Sequence, residues 1–273
     1  MGRAIALSLL CIFGSHVVAS DSTYPRSGLL IEPADLAKSG EAGQPGHLVI
    51  LDARPRAAFD KARIPKAIWI DAAAWAKAFG SGQDAKGWSA RIGDLGIGPG
   101  TKVVVYDGDS FKDAARVWWI LRFWGIEDVR LLNGNWLGWD KAGLPIESQK
   151  PKPPAPAKFT AVARPDSLAT KQQMLGFVKD KSWQIVDARS NAEFCGLDTT
   201  KAKRSGAMPG AKHLEWIDLI DKSSQRWKSP QQLAKLFADA GIDLQRPAAA
   251  HCQSGGRSSV MAFGMELMGA KDV

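Results

Sequence analysis

With 273 residues, 45% of them hydrophobic and 23% charged, the chain has the composition of a packed globular protein and the length for two ordinary domains. That excludes disordered and collagen-like classes. The net charge of +8 and pI of 9.4 suit anionic partners, but Lys and Arg are spread along the chain with no run of five like charges and no recognised DNA- or RNA-binding motif. Small anions are the partners this charge implies, and nucleic acid is not.

In chain order, Met1-Gly2-Arg3, the apolar stretch from Ala4 to Gly14 and the residues Ser15 to Ser20 have the layout of a secretory signal peptide cleaved near Ala19 or Ser20. The stretch is too short to cross a hydrocarbon core of about 30 Å. Residues 1–20 are therefore read as a removable signal, and the rest as an exported protein, periplasmic or secreted, with no stable membrane insertion and expected to be a monomer. Cys11 follows Leu9-Leu10, where a lipoprotein signal needs a small residue, so lipidation is not expected. Only Cys195 and Cys252 then remain, too few and too separated for a Cys-rich zinc site. A bond between them stays open at this stage, although it would silence thiolate chemistry.

Residues 21–148 and 165–273 repeat one another. Leu51-Asp52-Ala53-Arg54, with Ala57 and Phe59, returns as Val186-Asp187-Ala188-Arg189, with Ala192 and Phe194. Ile64-Pro65-Lys66-Ala67 returns as Met208-Pro209-Gly210-Ala211, and Val103 to Asp107 returns as Ala248 to Cys252, so Asp107 stands where Cys252 stands. Strand candidates at 48–52, 103–106 and 184–187 alternate with helical stretches at 71–79, 113–124, 230–240 and 258–268. This alternation predicts two α/β domains in tandem, each a mainly parallel sheet flanked by helices. Between them, residues 149–164 contain the Pro-dense run Lys150 to Lys158, which lacks the donors for a helix or sheet and reads as an extended linker. In the first copy Gly125 to Val129 leads into Arg130-Leu131-Leu132 and a Trp-bearing helix candidate. The equivalent Gly269 to Val273 ends the second, so that domain is expected to be truncated by a strand and a helix.

The chemistry concentrates in His251-Cys252-Gln253-Ser254-Gly255-Gly256-Arg257-Ser258-Ser259, which follows a strand candidate and opens a helix candidate. In such a turn, backbone N–H groups point inward as an anion cradle and the helix N-terminus adds partial positive charge. Gly255 and Gly256 tolerate the positive φ that a cradle needs. A cysteine there ionises readily, aided by a nearby arginine, so Cys252 is the candidate nucleophile and Arg257 a candidate anion receiver. Cys195 has no such setting and reads as structural, as does His251 at its strand end.

Taken together, the paired Asp-Ala-Arg pieces, the Ile-Pro-Lys-Ala and Met-Pro-Gly-Ala pieces and the loop from Cys252 to Arg257 resemble the tandem rhodanese family, similar to the thiosulfate and mercaptopyruvate sulfurtransferases. The resemblance spans nearly the whole chain after the signal. It implies a silent first domain, a catalytic second domain and transfer of sulfane sulfur through a persulfide on Cys252 to cyanide or a thiol. It also implies that Arg189, Gln253, Ser254, Gly255, Gly256 and Arg257 surround the donor. Ser254 matches the mercaptopyruvate enzymes, while Arg257 fits neither usual loop, and its charge puts thiosulfate slightly ahead. Asp52 and Asp187 recur in both copies and read as architecture, a role Arg189 shares with Arg54 in the silent copy.

Two readings compete. Cysteine phosphatases and arsenate reductases also follow Cys with Gly and Arg, but their loop is one residue longer than Gln253 to Gly256. A redox or sulfur-binding module without turnover is the second. Elsewhere, Gly96 to Lys102 precedes a strand and reads as a turn, since nucleotide loops follow one. Trp118, Trp119 and Trp124 read as core and interface packing. His47, His213 and His251 lack metal-ligand spacing, and no cofactor or metal is implied.

Overall fold

The computed structural model describes residues 23–41, 48–199 and 204–273, so the expected signal, Cys11 and His47 lie outside the described residues. The first repeat runs β1 (Leu30–Ile31), α1 (Pro33–Glu41), β2 (Leu48–Asp52), α2 (Arg56–Lys61), β3 (Ile68–Trp69), α3 (Ala72–Phe79), α4 (Ala85–Gly93), β4 (Lys102–Tyr106), α5 (Lys112–Phe123), β5 (Val129–Leu132) and α6 (Asn135–Lys141). Its five strands lie in the order β1-β5-β4-β2-β3, every neighbouring pair parallel. The central strands Leu-Val-Ile-Leu-Asp and Lys-Val-Val-Val-Tyr are apolar almost throughout because helices cover both faces, the usual constraint on a parallel sheet.

The second repeat runs α7 (Lys171–Asp180), β6 (Gln184–Asp187), α8 (Asn191–Phe194), β7 (Lys212–His213), β8 (Ile220–Asp221), β9 (Arg226–Trp227), α9 (Pro230–Asp239), β10 (Ala248–His251) and α10 (Gly256–Leu267). Strands β10-β6-β7 form a parallel sheet of three, while β8 and β9 pair as a separate antiparallel hairpin. The register reproduces the first repeat: His251 pairs with Asp187 as Tyr106 pairs with Asp52. Even the last residues follow the earlier path. The N–H of Ala248 bonds the carbonyl of Asp272 (3.0 Å) as that of Val103 bonds Asp128 (2.8 Å), the residue before β5. Among the described residues, nothing in the second sheet corresponds to β1 or β5.

Residues 151–164 carry no helix or strand and lie along the first domain. The N–H groups of Ala157, Val162 and Arg164 donate to the carbonyls of Gly93, Trp124 and Phe123 at 2.9, 3.2 and 2.8 Å. The chain thereby bonds helix-end carbonyls of α4 and α5, sharing that of Gly93 with the Gly96 N–H. A methyl group on Gly93 would meet the Ala157 carbonyl oxygen at 2.6 Å, so this close approach requires glycine.

The two domains meet where α5 and α10, the helices after the equivalent strands β4 and β10, pack side by side. Trp118 meets Phe263 edge-on with centroids 4.9 Å apart, and Trp227 lies 4.8 Å from Phe263 and 5.3 Å from Phe111. Glu266 binds Arg122 at 2.5 Å and Arg26 at 3.0 Å, and the Tyr24 hydroxyl donates to the carbonyls of Trp227 and Lys228. Trp118 is 1% exposed and donates through Nε1 to the Val129 carbonyl. Trp118→Ala therefore opens a cavity and orphans an acceptor at once. It is expected to cost about 3–5 kcal/mol in chemical denaturation.

Candidate active site

Strand β10 ends at His251 and α10 begins at Gly256, which leaves Cys252 to Gly255 as the turn between them. Gly255 caps the helix at φ 100°, a left-handed conformation that costs glycine little. The turn brings the Gly255 N–H to 3.1 Å from the Cys252 sulfur, with the Ser258 hydroxyl 3.6 Å away on the first turn of α10. Burial pushes the thiol up. The Ser258 hydroxyl and the backbone N–H groups of Ser258, Gly255 and Ser254 outweigh it, and the net shift is downward. Cys252 is thus a half-buried thiol whose surroundings favour the thiolate. Gln253 and Ser254 are exposed at the rim.

Arg257 lies on α10 and grips Glu193 through both terminal nitrogens, at 2.5 and 2.9 Å. Glu193 is itself placed by a capping box in which its carboxylate receives the Ser190 N–H and hydroxyl at the start of α8. Hydrogen bonds from Arg257 hold the Glu193 carboxyl down to about 2. The charge that put thiosulfate ahead is therefore largely neutralised by Glu193, although the guanidinium still feels the Cys252 thiolate.

Arg189 is held in the same manner. Its Nε and Nη2 bind the Asp187 carboxylate at 2.9 and 2.6 Å, and Nη2 also donates to the Gly206 carbonyl. In the first repeat Arg54 repeats the grip on Asp52 at 3.0 and 2.6 Å, with Trp136 stacked 4.0 Å from its guanidinium carbon. The same grip is thus built into both repeats. His251 Nε2 lies 3.4 Å from the Asp187 carboxylate, at the register where Tyr106 donates its hydroxyl to Asp52. Burial would raise the Asp187 carboxyl, but His251 and Arg189 overcome it and hold that group below the usual carboxylate range. Cys195 is exposed and carries a free thiol, as Cys252 does.

At the register of Cys252, Asp107 turns its carboxylate back on α5 and accepts the N–H groups of Asp113 and Ala114 at 3.2 and 3.0 Å. Burial raises it to about 8 against those bonds, so this carboxyl keeps its proton well above the ordinary carboxylate range. Two residues absent from the sequence reading also face the Cys252 loop: Lys112 beside Gly256 and Arg116 beside Gly255, both on α5. Their distance along the chain hides them, since only the packing of α5 on α10 brings them close. Among the described residues no His, Cys, Asp and Glu cluster could hold a metal, and no helix is long and apolar enough to cross a membrane.

A tandem pair of parallel α/β domains, one of them with a cysteine cradled at a helix N-terminus, defines a class of thiolate proteins. The chain matches the rhodanese-like domain over residues 32–142 and again over 170–273, and it belongs to that family. It is 35% identical to mouse thiosulfate sulfurtransferase over 187 residues, covering 67% of this chain and 62% of the relative. It is 32% identical to human 3-mercaptopyruvate sulfurtransferase, covering 69% and 64%. It thus spans less than two thirds of these relatives. The structure of SseA from Escherichia coli, from work on 3-mercaptopyruvate sulfotransferases, superposes with a TM-score of 0.75 at 23% identity, covering 89% of this chain and 95% of that one. That likeness is one of fold.

Ser258→Ala removes a hydroxyl that lowers the Cys252 thiol. The midpoint of its alkylation-rate profile against pH is expected to move upward, measured with iodoacetamide. For Asp107, the folded protein retains a proton that the unfolded chain releases at the ordinary value of 3.8. Its contribution to stability is therefore full below that value and is lost as pH rises through about 8. Asp107→Asn is expected to melt higher than the parent near pH 9, with the gap closing toward pH 5 in a thermal series.

Proposed function

We propose that this chain is a sulfurtransferase that carries sulfane sulfur on Cys252. The observation that carries this reading is the Cys252 sulfur, lowered in pKa and facing the N–H of Gly255 at the mouth of α10. The two groups of relatives, thiosulfate and 3-mercaptopyruvate sulfurtransferases, support it.

In the first half-reaction the thiolate attacks the outer sulfur of the donor. A bond forms between the Cys252 sulfur and that sulfur, while the bond to the rest of the donor breaks and its electron pair departs with the leaving group. From thiosulfate the leaving group is sulfite. From 3-mercaptopyruvate it is the pyruvate enolate, which takes a proton to become pyruvate. In the second half-reaction cyanide or a thiolate attacks the outer persulfide sulfur, and the pair in the S–S bond returns to Cys252. The turn amides face negative sulfur in both halves without rearranging, which stabilises both transition states.

The engagement of Arg257 by Glu193 counts against the phosphatase reading, in which the arginine must be free to grip a phosphate. Residues 1–20, with the layout of a signal peptide, would direct the chain across a membrane and be removed, which supports a reaction in the periplasm or outside the cell.

Intact mass tests this proposal. Incubation of the reduced protein with thiosulfate, and separately with 3-mercaptopyruvate, is expected to add about 32 Da, one sulfur atom, to Cys252. Cyanide should remove the adduct and Cys252→Ser should never form it. Folded, reduced protein that gains no mass from either donor overturns the proposal.

A further inference from the structure

Three arginines near the equivalent loops are already paired: Arg54 with Asp52, Arg189 with Asp187 and Arg257 with Glu193. Arg116 differs. Among the described residues it forms no ion pair, and its Nε is buried without a hydrogen-bond partner. Phe79 and Trp119 flank the guanidinium, with ring centroids 5.6 and 5.1 Å from its carbon, and fix where it points. It points at the cysteine loop: a methyl group on Gly255 would lie 2.3 Å from Nη1 of Arg116 and 2.7 Å from its central carbon. One helical turn earlier, the Lys112 side chain lies 3.0 Å from the equivalent point on Gly256.

A partly buried guanidinium with no carboxylate carries a desolvation cost that aromatic faces offset only in part. An anion beside Cys252 would offset the remainder. Burial lowers the Arg116 pKa, and the Cys252 thiolate is the one group that opposes this. The glycine pair acquires a second role here, since any side chain at Gly255 would occupy the space the guanidinium fills.

We propose that Arg116, contributed by the repeat that lacks the cysteine, receives the anionic end of the sulfur donor beside Cys252. The ligand chemistry is a planar or tetrahedral oxyanion, a carboxylate or a sulfonate, held within a few bonds of the sulfur under attack. A guanidinium suits both shapes because its fork donates two parallel hydrogen bonds. The first domain then completes the site of the second, which gives the tandem arrangement a chemical purpose. As a statement about sulfur donors this rests on the sulfurtransferase reading. As a statement about an anion site beside the thiol it does not.

The test compares two alkylating agents on the full chain. Iodoacetate is anionic and iodoacetamide neutral, and both react with the Cys252 thiolate without any sulfur donor. The ratio of their rates, normalised to a free thiol, reports an anion site directly. Arg116→Gln is expected to lower that ratio about tenfold, the loss of one good charge-assisted contact, and Arg116→Lys to restore part of it. The iodoacetamide rate and the melting temperature show whether the variant is folded, and the lysine variant decides if the glutamine variant is not. An unchanged ratio in a folded variant overturns the proposal. Because no donor is used, this result stands whether or not a persulfide forms. For whichever of thiosulfate and 3-mercaptopyruvate loads the cysteine, Arg116→Gln should raise KM with little change in kcat, which identifies the oxyanion as sulfonate or carboxylate. A fall in kcat at constant KM would assign Arg116 a structural role instead and overturn the proposal.

Discussion

The seam between α5 and α10 is the constraint on which this structure depends. It is an apolar contact of aromatic rings, Trp118 on Phe263 and Trp227 between Phe263 and Phe111, closed at its far end by Glu266 gripping Arg122 and Arg26. Each helix follows the equivalent strand of its own repeat. Packing one against the other with Lys112 and Arg116 at the start of α10, and Arg122 at its end, sets their N-termini side by side. Both positive ends of the helix dipoles therefore face one region, and Cys252 lies there. A single domain could supply only one of them.

Negative charge on sulfur is favoured at this place by several small contributions. The turn amides and the Ser258 hydroxyl act over about 3 to 4 Å. Arg189 and Arg257 of the second domain are restrained by Asp187 and Glu193, which offset much of their charge. Cation and anion are thus separated by role. Paired arginines hold the walls, and Arg116, which among the described residues has no carboxylate partner, arrives from the other repeat. The equivalent loop of the first repeat shows the same backbone put to another use, with the Asp107 carboxyl turned inward as a cap for α5 and its pKa raised by burial.

Much of the fold was legible because it is written twice. Strands expected at 48–52 and 184–187 occur with those bounds, and helices expected at 71–79 and 230–240 differ by a residue at one end. The strand at Ala248 to His251 is the instructive case. Three alanines are weak strand formers, and the segment was recognisable through its register with Val103 to Asp107. Its pairing with β6 supplies the order that its own residues do not. The helix-opening turn at Cys252 was legible for a local reason: two glycines, a cysteine and a strand before them are neighbours in sequence.

What lay outside that reach was everything that depends on residues distant in the chain. Glu193 could have been singled out by its capping box with Ser190, but its grip on Arg257 joins residues that only the fold makes neighbours. Likewise the path of residues 151–164 along α4 and α5 is set by helix-end carbonyls whose positions no linker composition records. The sequence by itself determined the tandem α/β repeat, the family and the cysteine loop, since periodicity, repetition and turn chemistry act over a few residues. Tertiary structure alone decided which arginines carry a carboxylate partner and which guanidinium reaches the Cys252 loop from the other repeat, because charges pair by distance in space, and helix packing sets that distance.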